Sequence, residues 1–229
     1  MIRMVLYCFT RLGEETIMAA TTSEHRPIGA FHAISLDGIG TVHFAQDAAT
    51  SLTVEAEPDA LPLITTELRG NTLHIQTKML TSKIIALKHP PVYTITSPIL
   101  IEVDLRGAGR AIIGRLKTEQ LSISVDGAGE IRLSSQTLGA ARIKIAGAGN
   151  IKATGIATTQ DISITGAGNF SGEAFVGETV KVVINGAGRA KVHATEDLAA
   201  EIGGVGHVSY VGDPQVRSKV GGLGRVKKA

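Results

Sequence analysis

The segment Ile143-Lys144-Ile145-Ala146-Gly147-Ala148-Gly149-Asn150-Ile151-Lys152 has two closely spaced glycines between runs of alternating apolar and polar residues. Alternation with a period of two is typical of β-strands that bury one face. Glycine adopts positive φ angles at no steric cost, so Gly147 and Gly149 allow a sharp change of direction. The segment therefore predicts a strand, a tight Gly-x-Gly corner and a second strand.

The same corner recurs through more than half of the chain. Gly-Ala-Gly occurs at 107–109, 127–129, 147–149, 166–168 and 186–188, followed by Gly-Val-Gly at 204–206 and Gly-Leu-Gly at 222–224, with offsets of 20, 20, 19, 20, 18 and 18 residues. A single earlier copy occupies 38–40. Sequence repeats of this length indicate a solenoid. The predicted corner glycines are Gly38, Gly40, Gly107, Gly109, Gly127, Gly129, Gly147, Gly149, Gly166, Gly168, Gly186, Gly188, Gly204, Gly206, Gly222 and Gly224.

The residues around each corner favour coils that stack in parallel. Two residues before the first glycine, every repeat has an apolar residue: Leu105, Val125, Ile145, Ile164, Ile184, Ile202 and Val220. An antiparallel meander would place successive corners at opposite edges, whereas a coil of about 20 residues that returns to its starting side stacks each corner on the last. We expect the small middle residue of each corner to point into a narrow interior, and residues 134–139 and 172–178 to form loops.

Composition excludes several classes of protein. The 229 residues are 43% hydrophobic and 19% charged, which is too balanced for a disordered chain. No run reaches the roughly 18 apolar residues that a transmembrane helix needs, and a formal net charge of +2 does not indicate nucleic-acid binding. The single cysteine, Cys8, provides neither an internal disulfide nor a zinc cluster. The glycines lead into strands rather than helices, so no nucleotide cofactor is predicted.

The chain is predicted to hold one folded domain. We interpret residues 1–25 as a disordered or mis-assigned N-terminal segment, because its short apolar run is interrupted by charges and forms no recognisable signal peptide. Residues 26–229 are predicted to be a single β-helix domain, with the first coil and an N-terminal elaboration at 26–100 and regular coils at 101–229. Within the elaboration we predict a turn at 69–71 and an edge strand or strand entry at 93–95, between prolines.

One outward column of the predicted coils is rich in cations. Arg132, Lys152, Lys191 and Lys227 share this column and form the candidate ligand face, suited to anionic glycans or lipid headgroups. Solubility alone also explains such a face. In another outward column, Arg142, Asp161 and Lys181 are expected on adjacent coils as a structural ladder of alternating charge.

Groups with catalytic or metal-binding chemistry are sparse. The acidic residues near one another in the repeat are Asp104, Asp126 and Glu130, and glycoside hydrolysis would need two such carboxylates within about 5–10 Å. His193 and His207 fall on neighbouring repeats without a carboxylate or cysteine partner, which is a weak indication of a metal site. We predict no catalytic residue, no metal site and no cofactor.

Together with the glycine corners, three further segments resemble a known family. They are Pro27-Ile28-Gly29-Ala30-Phe31-His32-Ala33-Ile34, Gly70-Asn71-Thr72-Leu73-His74-Ile75 and Tyr210-Val211-Gly212-Asp213-Pro214. Over about residues 26–226 the chain is similar to the bacterial putative autotransporter-adhesin proteins, also called head GIN domain proteins. This resemblance implies an all-β fold, a right-handed single-stranded parallel β-helix of pectate-lyase-like type. It also implies export to the cell envelope and no enzymatic activity.

The repeat and the resemblance together lead to one expected function and two alternatives. We expect a non-enzymatic, adhesin-like binding module of the cell envelope, periplasm or cell exterior, with a glycan or a cell-surface protein as its partner. A polysaccharide lyase or hydrolase on the same scaffold is an alternative that rests on fold analogy. A purely structural role through end-to-end stacking is the third.

Overall fold

Alternating apolar residues form β-strands throughout the computed structural model, which describes residues 21–77 and 89–229. One short 3₁₀ helix, Leu61–Leu63, interrupts the strands. The strands are β1 (Thr22–His25), β2 (Ala33–Gly38), β3 (Thr41–Gln46), β4 (Ser51–Ala56), β5 (Ile64–Arg69), β6 (Thr72–Thr77), β7 (Val92–Ser97), β8 (Glu102–Gly107), β9 (Arg110–Ile113), β10 (Lys117–Gly127), β11 (Glu130–Gly147), β12 (Asn150–Gly166), β13 (Asn169–Gly186), β14 (Arg189–Ile202), β15 (His207–Val211), β16 (Gln215–Val220) and β17 (Arg225–Lys228).

Successive coils lie parallel and in register, one repeat above the last. Gly147 is paired with Gly127 on one side and with Gly166 on the other, and Gly166 is paired in turn with Gly186. Each coil therefore advances by one strand spacing, about 4.8 Å, and we call each such layer a rung. This register confirms the predicted all-β solenoid with coils of roughly 20 residues and Gly-x-Gly corners.

The N-terminal region does not follow the simple order of the later coils. Strand β2 lies between β6 and β8, and β3 lies between β7 and β9, all in parallel. The chain thus doubles back after the first coil, β2 and β3, and β6 and β7 build a rung below it, on the side opposite the later coils. The antiparallel hairpin of β5 and β6 contains the turn predicted at 69–71, where Gly70 has a φ of 59°.

Two predictions for this region are wrong. Strand β1 pairs antiparallel with β4, so Thr22–His25 belongs to the sheet and the boundary expected at residue 26 is too late. For residues 93–95 the edge-strand alternative is wrong, because β3 pairs with β7 on one side and β4 on the other. The strand-entry alternative agrees with the structure, since β7 begins at Val92, directly after Pro91. Pro90, Pro91 and Pro98 lie outside the bounds of β7, and the Pro91 carbonyl accepts a hydrogen bond from the Thr41 N–H at 2.8 Å. Residues 1–20 and 78–88 lie outside the described part, so the expectations for them stay predictions, as does the single-domain assignment of 26–229.

A narrow aliphatic interior runs the length of the solenoid. The apolar column two residues before the corner is buried from Leu105 to Ile202 and becomes 41% exposed at Val220 in the last rung. Aromatic side chains are buried where the interior has room, as Tyr93 and Phe31 are near the N-terminal end and Phe170 and Phe175 are in β13. Burial raises the pKa of the Tyr93 hydroxyl, which lies 3.4 Å from the hydroxyl of Thr77.

The corners differ from the sequence prediction in which residue faces inward. The middle residues Ala108, Ala128 and Ala148 are exposed, whereas the second glycines Gly109, Gly129 and Gly149 are buried. The first glycine of the corner has a positive φ, 107° at Gly147, and this turn directs the next side chain outward. A methyl group added at Gly149 would lie 2.6 Å from Cγ1 of Val125. The crowded interior position is therefore the second glycine.

The segments expected as loops are continuous strand. Residues 134–139 lie within β11 and residues 172–178 lie within β13. The chain turns there through β-bulges, seen as register shifts between Leu133 and Gln136 and between Ser171 and Val176. Buried amides bind carbonyl groups at these bulges. Nε2 of Gln136 donates to the Ser134 carbonyl at 2.8 Å, and Nε2 of Gln160 donates to the Phe175 carbonyl at 3.0 Å.

Candidate functional site

Each corner separates two outward faces of the solenoid. The pre-corner face consists of the outward residues on the strands that lead into the corners, such as Arg142 and Lys144. The post-corner face consists of those on the strands that leave them, such as Asn150 and Lys152. Side chains two residues apart in a strand point to the same side, and equivalent residues on successive rungs stack. Ligand-binding groups can therefore be read as columns on these two faces.

The four predicted ligand-face residues lie in one column of the post-corner face, although only one pair of them is on adjacent rungs. Arg132 pairs in register with Lys152. Ser171 then lies between Lys152 and Lys191, and Ser209 lies between Lys191 and Lys227. The four cations are exposed. Their role as a ligand face stays a prediction.

A second column beside this one adds cations that the sequence interpretation did not assign to the ligand face. In rung order it contains Arg110, Glu130, Asn150, Asn169, Arg189, His207 and Arg225. Each of these residues precedes a member of the first column by two positions, so both columns are on the same face. That two-residue spacing is visible in the sequence and would have allowed both columns to be assigned to one face. We call the two columns together the basic stripe.

Cations outnumber carboxylates on the basic stripe. Glu130 accepts hydrogen bonds from Arg132 at 2.7 Å and from Arg110 at 3.0 Å. The hydrogen bond from Arg132 lowers the pKa of the Glu130 carboxyl, against the opposing effect of partial burial, and the positive charge of Arg110 lowers it further. Glu173, at the margin of the stripe, pairs with Lys191 at 2.9 Å.

The remaining cations of the stripe are available to a ligand. Among the described residues, no carboxylate lies within ion-pair distance of Lys152, Arg189, Arg225 or Lys227. Asn169 donates to the Asn150 side chain at 2.9 Å, which fixes two amides between the cations. The stripe therefore offers cations, amides and serine hydroxyls on a rigid backbone.

The pre-corner face has a groove of about 550 Å³ but no excess of charge. Arg142, Asp161 and Lys181 line it and are in register on adjacent rungs, in the order the sequence predicted. Glu102 lies at one end of the same column. Positive and negative groups alternate along this groove, so their fields largely cancel at a distance.

The carboxylates considered for catalysis do not converge. Asp104 and Asp126 are on the pre-corner face, and Asp104 pairs with Arg106 at 2.7 Å. Glu130 lies beyond the corner, on the other face, and the lowered pKa of its carboxyl disfavours a role as general acid.

The two histidines considered for metal binding are also apart. His207 is in register with Arg189 on the neighbouring rung. His193 is four residues beyond Arg189 in β14, so the two histidines are separated by about 13 Å along the strand direction. In the described part of the chain, no group of three or more His, Cys, Asp or Glu side chains could hold a metal ion.

Solved structures share this solenoid. A structure described as a "putative adhesin" from Bacteroides fragilis NCTC 9343 is 24% identical, with a TM-score of 0.85, and covers 93% of this chain and 98% of its own. A "putative lipid binding protein" from Parabacteroides distasonis ATCC 8503 is 21% identical, with a TM-score of 0.72, and covers 91% of this chain and 96% of its own. A "putative adhesin" from Parabacteroides merdae ATCC 43184 is 22% identical, with a TM-score of 0.71 and the same coverage.

A family model matches most of the sequence. Its description is "Putative auto-transporter adhesin, head GIN domain", and it matches residues 30–214. The comparison with curated proteins gives no match. Within residues 21–77 and 89–229, no helix is long and apolar enough to span a bilayer.

Proposed function

Because the chain belongs to the putative auto-transporter adhesin, head GIN domain family, we propose that it is a non-enzymatic binding module of the cell envelope or cell surface. Its ligand-binding surface is the basic stripe, and its ligand is a linear anionic glycan. The family description supports an adhesive role, and the solved structures with the same solenoid are described as a "putative adhesin" in two cases and a "putative lipid binding protein" in the third.

One observation carries the proposal, the segregation of charge between the two long faces. The basic stripe holds Arg110, Arg132, Lys152, Arg189, Lys191, Arg225 and Lys227, opposed by Glu130 and Glu173. The whole chain has a net charge of only +2, so the excess of cations is local. A local excess of one sign raises the concentration of oppositely charged ligands at that surface.

The shape of the stripe favours a chain-like ligand over a membrane. Its two columns are two residues apart, about 7 Å, and it extends over the rungs from Arg110 to Arg225, about 29 Å. A surface this long and narrow fits a single polymer strand, whereas a bilayer would contact a broad area. The stripe has no aromatic side chain to insert among lipid headgroups.

Binding to defined polyanions tests the proposal. We expect the protein to bind polygalacturonate at low ionic strength and not to bind neutral dextran. Charge reversal at Lys152 and Arg189 (Lys152→Glu with Arg189→Glu) should weaken polygalacturonate binding by about tenfold or more, equivalent to about 1.4 kcal/mol. The matched control reverses two cations of the pre-corner face, Lys144→Glu with Lys181→Glu, and has the same net charge.

The control decides between local recognition and general attraction. Equal weakening by both double variants would show that only net charge matters and would overturn the basic stripe as the site. Binding to phosphatidylglycerol vesicles without binding to polygalacturonate would overturn the glycan in favour of a lipid surface. Release of reducing or unsaturated sugar ends from polygalacturonate, abolished by Asp126→Ala or Glu130→Ala, would show that the protein is a lyase or hydrolase.

A further inference from the structure

The first column of the basic stripe contains an alternation of chemistry from rung to rung. From β12 onward its members are Lys152, Ser171, Lys191, Ser209 and Lys227, each in register with the next. A cation therefore occupies every second rung and a small hydroxyl side chain occupies the rungs between. Both serines are half-buried between their longer neighbours, while the lysines are exposed.

The parallel β-sheet converts this alternation into a fixed distance. Neighbouring rungs are about 4.8 Å apart, so cations on alternate rungs repeat at about 9.6 Å along the solenoid axis. An extended β-linked disaccharide unit is close to this length. Because backbone hydrogen bonds hold every rung, the spacing does not depend on loops that could adapt to another ligand.

We propose that the basic stripe recognises a linear polysaccharide that has one acidic sugar in each disaccharide unit and lies along the solenoid axis. The carboxylates of alternate sugars would pair with Lys152, Lys191 and Lys227, and at Lys191 the sugar carboxylate would share the ammonium group with Glu173, which lies 2.9 Å from it. The neutral sugars between them would lie over Ser171 and Ser209, whose hydroxyls donate or accept hydrogen bonds. This inference rests on the proposed function and specifies the ligand class.

The neighbouring column supports this orientation. Arg189 and Arg225 are also two rungs apart, with His207 between them. Arginine binds carboxylates in a bidentate manner, so these residues would add a second contact to acids already near Lys191 and Lys227. Asn150 and Asn169, joined by a hydrogen bond, provide amide groups of the kind that bind sugar hydroxyls.

A variant with unchanged charge separates spacing from electrostatic attraction. Lys152→Ser combined with Ser171→Lys moves one cation by a single rung and keeps the net charge. Neither partner of the ion pair between Lys191 and Glu173 is changed. The probes are hyaluronan oligosaccharides, which have one carboxylate in each disaccharide, and polygalacturonate oligosaccharides, which have one on every sugar. Circular dichroism and the melting temperature verify that the variant folds.

The expected result is a selective loss. Affinity for hyaluronan oligosaccharides should fall about fivefold to tenfold in the exchanged variant, while affinity for polygalacturonate oligosaccharides changes by less than about twofold, because every register of that polymer offers a carboxylate. Equal changes for both probes would overturn the spacing inference and leave the proposed function intact. Failure of the unmodified protein to bind either probe would overturn both. If the exchanged variant does not fold, Ser209→Lys combined with Lys227→Ser moves a cation by one rung at the other end of the column and also keeps the net charge. Equal changes for both probes would again overturn the spacing inference.

Discussion

Replacing Gly149 with alanine tests which corner residue faces the interior. The added methyl carbon would lie 2.6 Å from Cγ1 and 3.2 Å from Cβ of Val125, whereas carbon atoms prefer about 3.5–4.0 Å. Val125 is fully buried and cannot turn away into solvent. Overpacking of this kind costs about 1–3 kcal/mol. At about 2–4 °C per kcal/mol for a chain of this size, the melting temperature should fall by about 2–12 °C.

The neighbouring residue provides the matched control. Ala148→Val adds two carbon atoms rather than one, but its side chain is exposed, and the equivalent corner position holds Val205, which is 49% exposed. We expect its free energy of unfolding to stay within about 0.5 kcal/mol of the original. Urea and thermal unfolding of both variants measure the difference. A larger loss for Ala148→Val than for Gly149→Ala would refute the assignment of the inward position.

Three further predictions concern the corners, the ion pairs and the terminal rung. Gly147→Ala should lower the free energy of unfolding by about 1–3 kcal/mol through backbone strain alone, because Gly147 has a φ of 107°. The loss should be larger still because the added methyl carbon would lie 2.6 Å from the Gly127 carbonyl oxygen. A melting temperature above that of Gly149→Ala would contradict this. Glu130→Gln should destabilise the protein at pH 7 by less than about 1 kcal/mol, because the pair is partly exposed. Since the pKa of Glu130 is lowered from 4.5 on folding, its carboxylate contributes stability above that value and loses it as the pH falls through the lowered pKa. The difference from the variant in chemical unfolding should therefore vanish once the carboxyl is protonated in the folded state, and a difference that grows in acid would be inconsistent with the sign. Lys219→Val should produce larger species in light scattering. Strand β16 pairs only with β14 among the described strands, so its other edge is open, and a lysine on an open edge opposes association with another strand. An unchanged particle size would show that the charge of Lys219 does not protect this edge.

The solenoid was predictable because its determinants are local and repeated. Gly-x-Gly and the apolar column from Leu105 to Ile202 recur at a nearly constant offset, and a strand period of two together with a recurring corner allows few arrangements. The N-terminal region was less predictable because its order in space differs from its order in the chain. No periodic pattern indicates that β6 and β7 build a rung below β2 and β3, opposite the later coils.

The errors in the regular region have a common physical origin. Sequence alternation assigns inward and outward positions only while the backbone stays extended, and a glycine with positive φ changes the phase. The outward position of Ala148 and the inward position of Gly149 follow from the φ of Gly147, which the sequence permits but does not specify. The backbone also departs from the regular extended pattern at the bulge between Ser171 and Val176, in the segment that the sequence predicted to be a loop.

The candidate site was predictable in part. Alignment of the repeats placed Arg132, Lys152, Lys191 and Lys227 in one column, and the structure has them there with serines between the lysines. The contribution of Arg189 and Arg225 required the two columns to be considered as one surface. The pairing of Glu130 with Arg110 and Arg132 depends on side-chain geometry, which no repeat pattern contains.

A crystal structure of the protein with a hyaluronan hexasaccharide would test the location and direction of the ligand at once. The basic stripe predicts sugar density parallel to the solenoid axis, with carboxylates of alternate sugars beside Lys152 and Lys191 and neutral sugars over Ser171. Density in the groove beside Arg142 and Lys181, or density that crosses the rungs along a single strand, would contradict it.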